Sequence, residues 1–143
     1  MLEAIIIIIA IVAFIIGISW KQRRPCSDQK LQELKVKVSP LDPKISDFNF
    51  YTDPSGSYIL GDRDVYICVL NEQGDYYDDN FLIYVILHEL THGLIPSDTR
   101  DHPPLFDSTF EEIKNRAIRL GIYNPTIPFP STYCNKPIAK YHD

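Results

Sequence analysis

The sequence predicts an α+β protein in which a single transmembrane helix precedes one small globular domain. An uncharged apolar run occupies residues 4–20, and about 20 such residues are needed for a helix to cross roughly 30 Å of hydrocarbon. Segments rich in Tyr, Ile and Val follow at 57–60 and 64–70, an almost wholly apolar segment follows at 81–94, and apolar residues at helical spacing follow over 105–120. The rest of the 143-residue chain is long enough to form one hydrophobic core.

Residues 1–24 are predicted to form a membrane anchor with a basic collar at its C-terminal end. The collar consists of Lys21, Arg23 and Arg24, and no Lys or Arg precedes the apolar run. Because positive residues stay on the cytoplasmic side, the globular domain is expected in the cytoplasm or inside a virion. A cleaved signal peptide would have a basic N-terminal flank, whereas this chain has Glu3 there. We therefore expect a single-pass membrane protein.

Charge and cysteine content argue against two further classes of protein. Residues 25–143 carry 11 Lys and Arg against 18 Asp and Glu, a net charge of −7, whereas nucleic-acid binding depends largely on basic residues that neutralise phosphates. We expect no nucleic-acid partner. The three cysteines, Cys26, Cys68 and Cys134, include no closely spaced pair, which is not the pattern of a secreted disulfide framework.

The segment 25–56 is predicted to be a connector because it contains four prolines and several polar clusters. Within it, apolar and charged residues alternate over 34–38, which indicates one short strand. The next two segments, 57–60 and 64–70, are rich in Tyr, Ile and Val and are separated by Gly61-Asp62-Arg63. This pattern predicts a β-hairpin.

Two helices and an extended strap complete the predicted domain, which spans 57–143. The segment FLIYVILHELTHGL at 81–94 is apolar on every side except for four polar residues, and a helix that is apolar all round is buried. A second helix over 105–120, with Gly121 as its stop, is predicted by apolar residues at helical spacing, namely Phe106, Phe110, Ile113, Ala117 and Leu120. Four prolines within 124–137 predict an extended strap over the surface.

The predicted buried helix contains His88-Glu89-Leu90-Thr91-His92, an H-E-x-x-H motif. Residues four apart project from the same face of a helix, so His88 and His92 can bind one Zn²⁺, and Glu89 can reach a zinc-bound water as its general base. Two imidazoles and a carboxylate are costly in so apolar a helix unless something compensates them, and a metal is the simplest compensation. The alternative is that hydrogen bonds in the core satisfy both histidines.

A catalytic zinc requires a third protein ligand and an open fourth position. His102, at the start of the second helix, is the leading candidate because imidazole is the usual zinc donor. Asp98 stands where the pattern H-E-x-x-H-x-x-G-x-x-H/D places its last ligand, although Ile95 replaces the glycine of that pattern. Glu111 or Glu112, on the second helix, could instead act as a glutamate ligand.

Two stretches of the chain resemble the WLM-type zinc metallopeptidases, relatives of the SprT-type domain, and resemble most closely the short versions encoded by large DNA viruses. The stretches are VYICVLNEQGDYYDDNFLIYVILHELTHG and HPPLFDSTFEEIKNRAIRLGIYNP. The resemblance implies a minimal zincin fold, zinc ligands His88, His92 and His102, Glu89 as the catalytic base, and peptide-bond hydrolysis. Two departures from the family are expected: the DNA- or substrate-binding appendages of the larger members have no counterpart here, and His102 lies ten positions after His92.

Together these features predict a membrane-anchored zinc metalloendopeptidase that acts on protein or peptide substrates. In this reading Tyr123 and Tyr133 of the strap are candidate donors to the oxyanion, with simple packing as the alternative role. The competing hypothesis is a catalytically inactive membrane or virion structural protein that keeps a zincin fold for stability or binding. Metal coordination distinguishes the two, because structural zinc sites have four protein ligands and catalytic sites keep one position open.

Overall fold

The computed structural model describes residues 28–61, 63–95 and 104–138. These residues form an α+β domain with three α-helices, a three-stranded sheet and a two-stranded hairpin. The predicted fold class, in which a transmembrane helix precedes the domain, is corrected by this finding: no helix in these ranges is long and apolar enough to cross a membrane. The predicted anchor at 1–24 lies outside the described residues.

Helix α1, Gln29–Val38, occupies the region where the sequence predicts a strand at 34–38. The strand prediction is wrong because Leu34 and Val38 are buried on one face of a helix, while Val36 between them is 72% exposed. Residues four apart lie on the same side in a strand as well as in a helix. The short alternation therefore fits both structures, and packing against the rest of the core decides between them.

Two short 3-10 turns, Ser39–Leu41 and Pro43–Asp47, connect α1 to the first strand, β1, at Asn49–Thr52. The segment predicted as a connector therefore contains regular structure in its described part. It also contributes several buried side chains to the hydrophobic core, among them Leu31, Leu34, Leu41, Ile45, Phe48 and Phe50.

The three-stranded sheet has the order β1-β3-β2, with β2 at Tyr58–Leu60 and β3 at Asp64–Ile67. Strands β2 and β3 pair antiparallel, as the sequence predicts, with Ile59 opposite Val65. The parallel pairing of β1 with β3 has no counterpart in the sequence prediction. Side chains alternate between the faces of the sheet: Phe50, Val65 and Ile67 enter the core, and Tyr51, Tyr66 and Tyr58 form a stacked row on the other face.

Helix α2, Asp79–Leu94, is the predicted buried helix and runs through the core. Every residue from Asn80 to Thr91 is buried. The side chain of Asp78 caps the helix by accepting a hydrogen bond from the backbone nitrogen of Asn80 at 2.9 Å. Because the helix begins at Asp79 and ends at Leu94, the H-E-x-x-H motif lies in its last two turns. The turns that precede the motif carry mainly apolar side chains.

Gly93 allows the end of α2 to approach the sheet closely. A Cβ atom on this residue would lie 2.7 Å from Cδ1 of Ile59 and closer still to the ring of Phe48. Glycine is typical just after the end of a helix, but here the helix includes Gly93 and continues through Leu94. The absence of a side chain is needed for packing against β2.

Helix α3, Pro104–Arg119, matches the predicted second helix and packs against α2. Four of the five apolar positions that the helical spacing identifies are buried, namely Phe106, Phe110, Ile113 and Ala117. The fifth, Leu120, follows the end of the helix and is 55% exposed. The guanidinium of Arg116 donates a hydrogen bond to the carbonyl of Leu41 at 2.6 Å, which ties the end of α3 to the turn after α1.

The C-terminal strap contains a short hairpin, with β4 at Thr132–Tyr133 and β5 at Lys136–Pro137. Its two-residue turn consists of Cys134 and Asn135, with φ angles of 48° and 62°. Such positive values at both central residues are typical of the tight turns of β-hairpins. Earlier in the strap, Asn124 exchanges two hydrogen bonds with the side chain of Asn80, which fixes the strap to the start of α2.

A disulfide between Cys68 and Cys134 fastens the hairpin turn to the residue after β3, with 6.4 Å between the two Cα atoms. The cysteine pattern does not predict this bond, because the partners are 66 residues apart in sequence. The interpretation that the chain lacks a disulfide framework is therefore wrong for this pair. Cys26 lies outside the described residues.

Candidate metal centre

The last two turns of α2 bring His88 and His92 together on one face of the helix. Their ring centroids are 5.3 Å apart, and the ring planes are inclined by 70°. Helical geometry produces this arrangement, because residues four apart lie one above the other. The structure therefore brings together the two imidazoles that the sequence predicts as zinc ligands.

The polar side chains of the motif are buried to different extents. His88 is 8% exposed and Glu89 is 5% exposed, whereas His92 is only partly buried. Thr91 is fully buried, and its hydroxyl donates a hydrogen bond to the carbonyl of Leu87 at 2.7 Å. Solvent therefore reaches this face of the helix more readily at His92 than at His88.

Two phenylalanines of α3 pack against the imidazole rings. The ring centroid of Phe106 lies 4.4 Å from that of His92 and 5.0 Å from that of His88. Phe110 lies 5.5 Å from His88. Helical spacing places both phenylalanines on the apolar face of the predicted second helix, but it does not predict their contact with the histidines, because spacing defines a face and not the partner of that face.

On the sheet side of α2, Glu89 lies one turn before Gly93, the residue that approaches Ile59 of β2. Residues four apart share a face, so Glu89 lies on the face of the helix that meets the sheet. Strand β2 pairs with β3 along one edge, and no other described strand pairs with its second edge. The candidate site is therefore bordered by α3 on one side and by β2 on the other.

The predicted third ligand falls in a part of the chain that is not described. His102 and Asp98 both lie within 96–103, between the end of α2 and the start of α3. The other two candidates, Glu111 and Glu112, are on the exposed side of α3, where they form ion pairs with Lys114 and Arg116. Within the described ranges, no three His, Cys, Asp or Glu side chains come together as a metal-binding group.

The predicted oxyanion donors from the strap have other contacts. The hydroxyl of Tyr133 donates a hydrogen bond to the carbonyl of Cys68 at 2.8 Å and lies 2.5 Å from the hydroxyl of Ser57. Tyr123 is buried beside Tyr84, with 5.9 Å between their ring centroids. Both contacts correspond to the packing role that sequence analysis keeps as the alternative.

Tyr84, one turn before His88, continues the aromatic packing from the imidazoles to the strap. Its ring centroid lies 5.4 Å from that of Phe110 and 4.6 Å from that of Phe129. Burial raises the pKa of Tyr84, and the negative charge of Glu111 raises it further. This side chain is therefore held in its neutral form beside the candidate site.

Comparison with known proteins identifies viral relatives. The chain is 37% identical over 81 residues to uncharacterized protein 136R of Invertebrate iridescent virus 6, a match that covers 54% of this chain and 44% of the relative. It is 33% identical over 106 residues to uncharacterized protein 042R of Invertebrate iridescent virus 3, which covers 68% of this chain and 64% of the relative. It is 30% identical over 114 residues to uncharacterized protein R325 of Acanthamoeba polyphaga mimivirus, with 73% and 56% covered.

The chain therefore spans less than two thirds of the length of each of these relatives. No protein-family model matches the sequence. No solved structure matches it either.

The described part of the site has side chains that suit a zinc ion. Two neutral imidazoles from one face of a helix are common zinc donors, and a carboxylate one residue along the helix is available for proton transfer. Zinc also needs a third protein ligand, and the segment 96–103, which contains two candidate side chains, connects the helix of the histidines to the helix of Phe106.

Proposed function

We propose that this chain is a zinc-dependent metallopeptidase of the WLM or SprT type, with His88, His92 and His102 as zinc ligands and Glu89 as catalytic base. The observation that carries the proposal is the pair of imidazoles on one face of a buried helix, with 5.3 Å between their ring centroids. Glu89, which follows His88 in sequence, is also buried. A metal ion bound by both imidazoles would help to offset the cost of burying His88 and Glu89 in an otherwise apolar helix.

In the proposed reaction the residues of α2 have two roles: His88 and His92 would bind zinc, and Glu89 transfers a proton. The chemistry that zinc supplies when bound is Lewis acidity toward the peptide carbonyl and toward water. Glu89 accepts a proton from the attacking water and returns it to the nitrogen of the leaving amine.

Strand β2 lies at the edge of the sheet formed by the described strands, and this position supports a peptide as the substrate. An extended peptide can add to a free strand edge through backbone hydrogen bonds that do not depend on its side chains. Strand β2 contacts α2 where Ile59 approaches Gly93, next to His92. A peptide bound along this edge would therefore pass the candidate metal site.

The test is zinc content and cleavage of an unfolded protein substrate by the purified full-length chain. Glu89→Gln is expected to retain zinc and to lose at least about a hundredfold in activity, the size of effect typical of a lost general base. Glu72→Gln, in an exposed turn, is the matched control and should leave activity unchanged. Equal activity of the wild type and Glu89→Gln would refute the catalytic role.

The ligand set is tested separately from catalysis. His88→Ala, His92→Ala and His102→Ala are each expected to lower zinc content, whereas His142→Ala, near the C-terminus, serves as the control. If His102→Ala keeps full zinc content, His102 is not a ligand. A wild-type chain that binds zinc through four protein ligands and cleaves nothing would instead support the structural role.

A further inference from the structure

One aromatic side chain contacts both candidate zinc ligands. Phe106, in the first turn of α3, is 2% exposed. Its ring is tilted by 37° against that of His92 and by 63° against that of His88, at centroid distances of 4.4 and 5.0 Å. Phe110, one turn later, contacts His88 but lies farther away, at 5.5 Å.

The orientation of an imidazole ring decides whether its donor nitrogen points toward a metal. The torsion that rotates the ring is broad and has no sharp intrinsic preference, so surrounding groups must fix it. In metal sites this is usually achieved by a hydrogen-bonding partner behind each histidine, and an apolar shell limits the access of water. A ring packed against both imidazoles restricts their rotation and excludes water at the same time.

We propose that Phe106 is a positioning residue of the metal centre, which holds His88 and His92 together in their ligating orientations. This inference rests on the proposed zinc site and adds to it a residue outside the H-E-x-x-H motif. It also gives α3 a role in metal binding, because the packing of α3 on α2 sets the position of the Phe106 ring.

Phe81 provides a matched control within the same core. It is 1% exposed, and its ring contacts Tyr77, Phe129 and Tyr133 at the other end of α2. Replacing either phenylalanine with leucine removes a buried ring and leaves a comparable loss of packing. Only the replacement at position 106 removes a contact with the histidines.

The experiment measures zinc affinity of the full-length chain by competition with a chelator, together with the absorption spectrum of the cobalt-substituted protein. Phe106→Leu is expected to weaken zinc binding by at least about tenfold, as loss of supporting groups around metal ligands generally does, and to change the cobalt spectrum. Phe81→Leu should lower thermal stability similarly but keep wild-type affinity and spectrum. Phe106→Met, which preserves more volume, should give an intermediate affinity and covers the case in which Phe106→Leu does not fold.

The outcomes separate this inference from the proposed function. If the wild type binds zinc and both Phe106 variants bind it with unchanged or higher affinity, Phe106 does not position the ligands, and the zinc site itself stands. If Phe81→Leu weakens binding as much as Phe106→Leu, the effect is one of general stability and the inference is overturned. If the wild type binds no zinc, the proposed function and this inference both fail.

Discussion

Cys68 and Cys134 form a disulfide that joins the residue after β3 to the turn of the C-terminal hairpin. The bond closes a loop that contains both α2 and α3, since 66 positions separate the two cysteines. Both residues are buried, at 2% and 7% exposure. The covalent link therefore encloses the two helices that carry the candidate metal centre.

We expect the double variant Cys68→Ala/Cys134→Ala to lose about 2–4 kcal/mol of unfolding free energy, because the link no longer restricts the unfolded chain. Urea denaturation followed by circular dichroism measures the change. Cys26→Ala is the control and should keep the wild-type midpoint. A double variant as stable as the wild type would show that the bond does not contribute to stability.

Hydrogen bonds reinforce the same junction. Besides the two contacts of the Tyr133 hydroxyl, the backbone nitrogen of Cys134 donates to the hydroxyl of Tyr77 at 3.0 Å, and that of Cys68 donates to Ser57 Oγ at 3.0 Å. The hairpin turn is thus held beside β3 by side chains from three separate parts of the chain.

Tyr133→Phe is expected to lower the free energy of unfolding by about 1–3 kcal/mol, because it leaves the buried carbonyl of Cys68 without this donor. Tyr76→Phe is the comparison: Tyr76 is 48% exposed and its hydroxyl bonds to Asp28 at 3.0 Å, so its loss should cost less than about 0.5 kcal/mol. Equal effects of the two substitutions on the urea midpoint would contradict the assigned role of Tyr133.

The parts of the fold that sequence analysis predicts correctly are those with a local signal. The segment 81–94 is apolar on nearly every side, so its burial follows from composition alone, and the regular spacing from Phe106 to Ala117 defines α3. The β2–β3 hairpin is likewise signalled by alternation around a short turn. In the site, the positions of His88 and His92 follow directly from helical spacing.

The parts of the fold that the sequence does not predict depend on contacts between residues that are distant in sequence. Helix α1 is mistaken for a strand because its burial is set by the core it packs against, and β1 is recognisable only through its parallel partner β3. The disulfide and the contact of Phe106 with both histidines also join segments that no local pattern connects. Tertiary packing determines each of these features.

Gly93→Ala is expected to destabilise the domain by about 1–3 kcal/mol, because the added methyl group overlaps the ring of Phe48 and the side chain of Ile59. In a helix without such neighbours the same change would stabilise by up to about 1 kcal/mol, so the sign of the effect is diagnostic. Phe48→Leu combined with Gly93→Ala should lose less than the sum of the two single variants, since the smaller side chain relieves the overlap. Thermal unfolding of the three variants provides the measurement, and strict additivity would contradict the contact.

At the start of β2, the Tyr58 hydroxyl donates a hydrogen bond of 2.5 Å to Asp53 Oδ2. This bond makes the stability of the domain depend on the protonation of both side chains. This bond, with smaller effects of burial and of the Asp53 charge, raises the pKa of Tyr58 from 10.0 to about 12. Hydrogen bonds from Ser55 and then from Tyr58 lower the pKa of Asp53. A raised tyrosine pKa contributes stability that is complete below pH 10 and is lost as pH rises through about 12, whereas the lowered carboxyl pKa contributes stability that is lost as pH falls below its ordinary value.

Asp53→Asn should therefore return the titration of one tyrosine from about 12 toward 10.0, because the charged acceptor is gone. Difference ultraviolet absorbance of tyrosinate, recorded against the wild type over alkaline pH, measures this shift. Asp47→Asn, which removes an exposed carboxylate at the end of a 3-10 turn, is the control and should leave the titration curve unchanged. If Asp53→Asn and the wild type titrate identically, the bond to Tyr58 does not hold the proton, and the predicted loss of stability between pH 10 and about 12 should also be absent from alkaline denaturation of the wild type.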